Sequence, residues 1–186
     1  MRVHELASHA MRGVIRIEEM FTAGAVDAEP EKDGATYFLY GPNVADDVVE
    51  RAFAAAKEFP TAGFPDRWRT EWETALDRVS SALAGGDPVL PGVFGLIKLS
   101  EYMRTRAVEV VIHHMDLRDA LGLDPDPDPA ALEVVCGVLA DLLGTDPRVL
   151  GMDGVRFALT GTGRSALNDQ ERTMLGPLSE RIPVLS

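Results

Sequence analysis

At 186 residues, 46% of them hydrophobic, the chain is long enough for one core-bearing domain and a short additional segment. Its formal net charge of −12 and sequence pI near 4.7 argue against nucleic-acid binding, which needs a concentrated basic surface, and oppose adsorption to anionic membranes. No apolar run approaches the roughly 20 residues that cross a bilayer, and the start lacks the basic-then-apolar order of a secretory signal, so cytoplasmic residence is the expectation.

Residues 3–21 read as a helix whose apolar stripe includes Val3, Leu6, Ala10, Val14 and Ile17. His9 lies beside this stripe, whereas His4, five residues earlier, is turned away by roughly 140°. Gly24 and the polar stretch Asp27 to Gly34 end the helix, and Thr36 to Tyr40 form a short apolar piece before Gly41-Pro42. Asn43 can cap a second helix running to about Phe59, with Val44, Val48, Phe53 and Ala56 near its inner face. After the connector Pro60 to Pro65, a third helix carries Trp68, Trp72, Leu76, Val79 and Leu83 at spacings of three and four, which reads as core packing. Gly85-Gly86-Asp87-Pro88 stops it.

The Pro- and Gly-rich residues 88–97 read as an ordered loop, of the kind that can cover a site. A fourth helix over about 98–121 is predicted to turn Tyr102, Arg106, Glu109, His113 and Leu117 inward. Asp124 to Pro129 is a stiff acidic spacer without the glycine and glutamate of a calcium loop. Asp128 and Pro129 then open a fifth helix, about 129–144, in which the single cysteine, Cys136, sits among Val134, Val135, Val138 and Leu139 as a small buried hydrophobe. One cysteine excludes an intrachain disulfide and Cys-rich zinc patterns. Beyond Asp146-Pro147, Val155 to Thr160 alternate as a short strand that could pair with 36–40 or with another chain's edge. Gly161 to Arg164 turn, and Asn168 to Glu171 open a small helix. The turn's glycines match neither a P-loop nor a dinucleotide fingerprint. The expected fold is mainly α, a helical bundle of four to five helices over 1–147, followed by a short C-terminal α/β segment of strand, turn and helix over 148–186.

The chemistry concentrates in Arg106-Ala-Val-Glu109-Val-Val-Ile-His113-His114-Met-Asp116. Glu109 and His113 are four residues apart, so on a helix they share a face with Cβ atoms about 5–6 Å apart and can bind one divalent metal. A catalytic zinc usually takes three protein ligands. His114 is turned about 100° from His113; His9 can complete the site if the first helix packs against the fourth. Two bland alternatives stay open at this point: a buried Arg106–Glu109 ion pair, and a half-buried His9 bonded to backbone. Charged groups on an inward face cost energy unless they are paired or metal-bound.

Val3-x-Glu5-Leu6-x-x-His9, followed far along the chain by Arg106-x-x-Glu109-x-x-x-His113-x-x-Asp116-Leu117-x-x-Ala120-Leu121-Gly122, resembles the mycothiol-dependent maleylpyruvate isomerase metal-binding domain, within the DinB-like group of four-helix bundles. The similarity spans roughly residues 3–145. It implies a metal held by His9, Glu109 and His113, with Asp116 matching the acidic residue one turn beyond the second histidine. It also implies that mycothiol, activated at the metal, adds to a cis double bond, allows rotation and leaves, so that the protein needs no cysteine nucleophile of its own.

The expectation is therefore an isomerase or S-transferase acting on a small electrophile, with a divalent metal (zinc, or nickel) and mycothiol or a related low-molecular-weight thiol as cofactors. Arg106 would orient Glu109 or bind a substrate carboxylate. Asp116 would hold His113 or His114 as a hydrogen-bond acceptor, and Arg164 would bind an anionic group of substrate or cofactor. The loop at 88–97 and a C-terminal hairpin would flank the metal mouth. A metal-activated-water hydrolase on the same triad and a non-catalytic metal-binding or dimerising bundle are the alternatives. The expected partners are small molecules, with a homodimer as the candidate assembly.

Overall fold

The computed structural model describes residues 3–39 and 54–185. The chain is mainly α-helical with a small two-stranded sheet, as its periodicity predicts. It divides into two compact units, Met1–Asp33 with Leu39–Arg106, and Gly34–Phe38 with Ala107–Ser186.

In the first unit, helix α1 (Val3–Ala23) buries Leu6, Ser8, Met11, Val14, Ile17 and Met20, a set repeating every two to three residues at first and then strictly every three along one face. Helix α2 (Phe64–Gly85) packs against α1. Its fully buried residues are Ala75 and Val79, while Leu76 and Leu83 are exposed, contrary to their expected place in the core. The stripe runs from the half-buried Trp68 and Trp72 to Ala75 and Val79, and Leu76 lies about 100° off that line. Residues 54–58 are helical, and Ala55 and Phe59 are buried beside Met11. The expected Asn43 cap and Val44, Val48 and Phe53 lie outside the described residues.

Residues 88–97 form a hairpin where their Pro and Gly content suggested a loop. Strand β1 (Val89–Gly92) pairs antiparallel with β2 (Gly95–Lys98) in the register Leu90↔Ile97 and Gly92↔Gly95. That register buries Leu90 and Ile97 and leaves Val93-Phe94 as a two-residue turn, closed by Gly95 at φ +127°. The backbone N–H groups of Glu31 and Lys32 both donate to Leu96 O, at 2.8 and 3.0 Å. Strand β2 runs without a linker into helix α3 (Leu99–Ala120), whose first turn is tied down because Asp87 accepts hydrogen bonds from both the backbone N and the hydroxyl of Ser100. The division between the two units falls within α3.

In the second unit, helix α4 (Pro129–Leu143) starts at Asp128, whose side chain accepts from Ala131 N, and ends at Gly144 in the left-handed region. Residues 154–161, expected as a strand, are helix α5 (Gly154–Gly161). Asp153 caps it by accepting from Arg156 N, and the adjacent Phe157 and Ala158 are both buried, which a two-residue alternation does not allow. A Cβ on Gly161 would lie 3.1 Å from Leu139, so the missing side chain permits close packing of α5 on α4. Helix α6 (Asp169–Leu175) opens with a reciprocal capping box between Asn168 and Glu171. Thr36–Phe38 is a 3-10 turn, so the expected strand pairing with 36–40 is absent and, among the described residues, the C-terminal segment is helical rather than α/β. Ala35, Val108, Ile112, Met115, Val135, Leu139, Phe157, Leu167 and Leu175 belong to one apolar cluster. Cys136 is buried in it, and desolvation pushes its thiol up to about 11. Among the described residues, no helix is long and apolar enough to cross a membrane.

Candidate metal centre

Helix α3 meets the core through Tyr102, Thr105, Val108, Val111, Ile112 and Met115. Arg106, Glu109, His113 and Leu117 were expected on that inward face, but they are half-buried on its flank. The apolar residues take the core side because they alone repeat at 108, 111, 112 and 115, and the polar series 106, 109, 113 follows about one residue round the helix. This spares the carboxylate and imidazole full desolvation and leaves them accessible.

The His113 ring has a carboxylate at each nitrogen. Its Nε2 lies 3.2 Å from Glu109 Oε2, and its Nδ1 lies 3.1 Å from Asp116 Oδ2. The side chain is only 14% exposed. Burial opposes the protonated ring, but the hydrogen bonds and negative charges of Asp116 and Glu109 outweigh it and raise the pKa to about 9. Burial also opposes the Asp116 carboxylate, yet His113 and Arg164 hold its pKa down at about 2. With Asp116 accepting from Nδ1–H, the neutral tautomer presents the Nε2 lone pair on the Glu109 side.

His9, Glu109 and His113 each offer one ligand atom, and these atoms lie within 4.8 Å of one another, all three residues being half-buried. Ligands bonded to one ion at about 2.0–2.1 Å can be no more than roughly 4.2 Å apart. Rotamer adjustments of well under ~1 Å would therefore bring the three onto a common ion. The donor set, two imidazoles and a carboxylate, suits zinc or nickel chemistry. The other histidines are elsewhere: His4 Nε2 lies 3.3 Å from Ala56 O with its ring edge-on to Phe64, and His114 is exposed.

Arg106 sits one turn before Glu109. Its guanidinium lies over the Tyr102 ring, 4.8 Å from the centroid, and its Nε donates to Thr105 Oγ1 at 3.2 Å. It also lies against α1 at Gly13, where an added Cβ would meet Arg106 Nη1 at 2.8 Å. Glycine inside a helix costs roughly 1 kcal/mol relative to alanine, and here it leaves the notch that the guanidinium occupies. Sequence reading had no signal for this pairing beyond an unexplained mid-helix glycine.

Arg164 forms a two-pronged ion pair with Asp116. Its Nε donates to Oδ1 and its Nη2 to Oδ2, both at 3.0 Å, while Nη1 donates to Thr162 O at 2.9 Å. The fork is thus committed to a carboxylate that itself holds His113, a partnership between residues 48 apart that no local pattern reveals.

A family model described as the mycothiol maleylpyruvate isomerase N-terminal domain matches residues 2–118. This span contains His9, Arg106, Glu109, His113 and Asp116 and stops short of Arg164. No curated protein and no solved structure gives a significant match to the chain.

Proposed function

The chain belongs to this family, and we propose that it is a metal-dependent enzyme that uses a low-molecular-weight thiol, mycothiol or a related molecule, to act on a small electrophile as a cis-trans isomerase or S-transferase. The observation that carries the reading is the convergence of one ligand atom each from His9, Glu109 and His113. A divalent ion held by two neutral imidazoles and one carboxylate keeps a net positive charge and lowers the pKa of a thiol or water that joins it.

The remaining roles fall to the chain's own side chains. Asp116 accepts from His113 Nδ1 and so keeps Nε2 available as a ligand. Glu109 supplies the anionic ligand, and Arg106, one turn earlier on α3, would orient it or meet a substrate carboxylate. A chain of net charge −12 needs such a local cation to receive an anionic substrate. Cys136 is unsuited to nucleophilic work because it is buried and its thiol is pushed up to about 11. The reacting thiol is accordingly supplied from outside the chain.

The test is calorimetric titration of zinc-loaded and metal-free protein with mycothiol or a cysteinyl thiol mimic. Binding with proton release to the zinc-loaded form alone is the expected result. Equal binding with and without metal would overturn the thiol reading, and absence of thiol binding alongside metal-dependent ester or amide cleavage would replace it with a hydrolase.

A further inference from the structure

We infer that Arg164 is a positioning residue for the metal ligand His113, acting through Asp116, so that the stretch after α4 sets how tightly the metal is held. The inference rests on the metal-site reading above and concerns a residue outside the matched span 2–118.

Asp116 is a short acid on the flank of α3, and nothing in its own helix holds both of its oxygens. Arg164 does: the Nε and Nη2 pair engages Oδ1 and Oδ2 together, which fixes the carboxylate plane. Oδ2, gripped by Arg164, is also the oxygen 3.1 Å from His113 Nδ1. A carboxylate free to rotate would let the imidazole turn or exchange tautomers, and Nε2 would then leave its place 3.2 Å from Glu109 Oε2. The arginine also occupies the acid that would otherwise compete with Glu109 for a cation.

The anchor is itself held. Arg164 Nη1 donates to Thr162 O, and Thr162 Oγ1 donates to Ala158 O at 2.6 Å, tying the turn to the end of α5. Gly163 takes φ +72°, which a side chain would strain, so the turn brings Arg164 round as few other sequences would. Behind it, the N–H groups of Val184 and Leu185 both donate to Gly161 O, at 2.9 and 3.0 Å. A surface arginine meant for a mobile anion needs none of this bracing.

Outer partners of metal-bound histidines are typically worth on the order of 10–100-fold in affinity. We would measure zinc affinity by competition with a chromophoric chelator for the wild type, Arg164→Ala, Arg164→Lys, Asp116→Ala and the Asp116→Ala/Arg164→Ala double variant. Imidazole nitrogen spectra of each metal-free protein would report the His113 tautomer. Arg164→Ala should weaken zinc by about 10-fold or more and mix the two tautomers. Arg164→Lys should recover only part, because an ammonium cannot span both oxygens. The double variant should bind no more weakly than Asp116→Ala alone. Arg164→Ala affinity within twofold of wild type, or a double variant weaker than Asp116→Ala by the full Arg164 factor, would overturn the inference while leaving the metal site standing. A wild type that takes up no zinc would overturn both. Should Arg164→Ala fail to fold, Arg164→Lys decides the matter: wild-type affinity and a single His113 tautomer in that variant would overturn the inference.

Discussion

Arg156 and Arg164 lie in the same unit and each grips a carboxylate, but the two clusters end differently. Arg156 donates to both oxygens of Glu171 at 2.5 and 2.8 Å, to Ser165 Oγ at 2.5 Å and to Ala166 O at 2.6 Å. Glu171 returns to the backbone through Asn168 N, and Arg156, with smaller help from that bond, holds its pKa down at about 2 against a small opposing effect of burial. Every partner there fastens α5 to α6, and the network closes on itself. From Arg164 the chain passes through Asp116 to an imidazole whose far nitrogen faces Glu109, with a His9 ligand atom within reach of both. A closed network of charges is structure. One that ends on convergent ligand atoms has somewhere to put an ion.

The sharpest way to break this comparison is to remove the terminal ligand. His113→Ala should lower metal affinity by about 100-fold or more, more than any loss through an outer partner, and elemental analysis should fall from one metal per chain toward zero. Arg156→Ala should leave metal content untouched and instead lower unfolding stability by about 1–3 kcal/mol through lost charge-assisted hydrogen bonds, read by urea denaturation. Metal loss in Arg156→Ala equal to that in His113→Ala would erase the distinction.

Titration separates the clusters more gently. In metal-free protein the His113 pKa is raised above 6.5, so its contribution to stability is complete below pH 6.5 and lost as pH rises through about 9. Asp116 runs the other way, contributing above pH 3.8 and losing its share as pH falls through about 2. Thermal melts of the metal-free protein should therefore decline from pH 6.5 to 9, while zinc affinity rises by up to about tenfold per pH unit over the same range as the competing proton leaves. A metal-free stability flat across that window would remove the case for a charged His113.

The smallest effect belongs to Gly13→Ala. The roughly 1 kcal/mol gain in helix propensity is opposed by the contact with Arg106 Nη1, so the net change in stability should stay within about 0.5 kcal/mol. If Arg106 serves the substrate, its displacement should appear as a raised KM with unchanged metal content, and an unaltered KM would assign Arg106 to packing alone.

Much of this was legible along the chain. The helix starts at Asp128 and Asn168 declared themselves because a capping side chain and the N–H it satisfies are three residues apart. The i,i+4 relation of Glu109 and His113 is likewise local. Val155 to Thr160 misled because six residues are too few to separate a period of 2 from one of 3.6, and the better signal was Asp153, three residues before Arg156. The hairpin at 88–97 was hidden by its composition, since its register depends on Leu90 and Ile97 being buried and on Glu31 and Lys32 arriving from far upstream. Which side of α3 the core claims, and which arginine reaches Asp116, are decided by packing between distant segments and leave no mark in any short window.

The anchoring of Asp116 from residue 164 has a consequence for recombination. The ligands and their brace reside in different stretches, one inside the matched span and one beyond it. A chimera that joined residues 2–118 to a foreign tail would inherit the triad but not the brace. Exchange of tails among bundles of this kind would then retune metal occupancy without touching a single ligand, and a graft meant to transplant the centre has to carry the turn at 161–164 along with the helix.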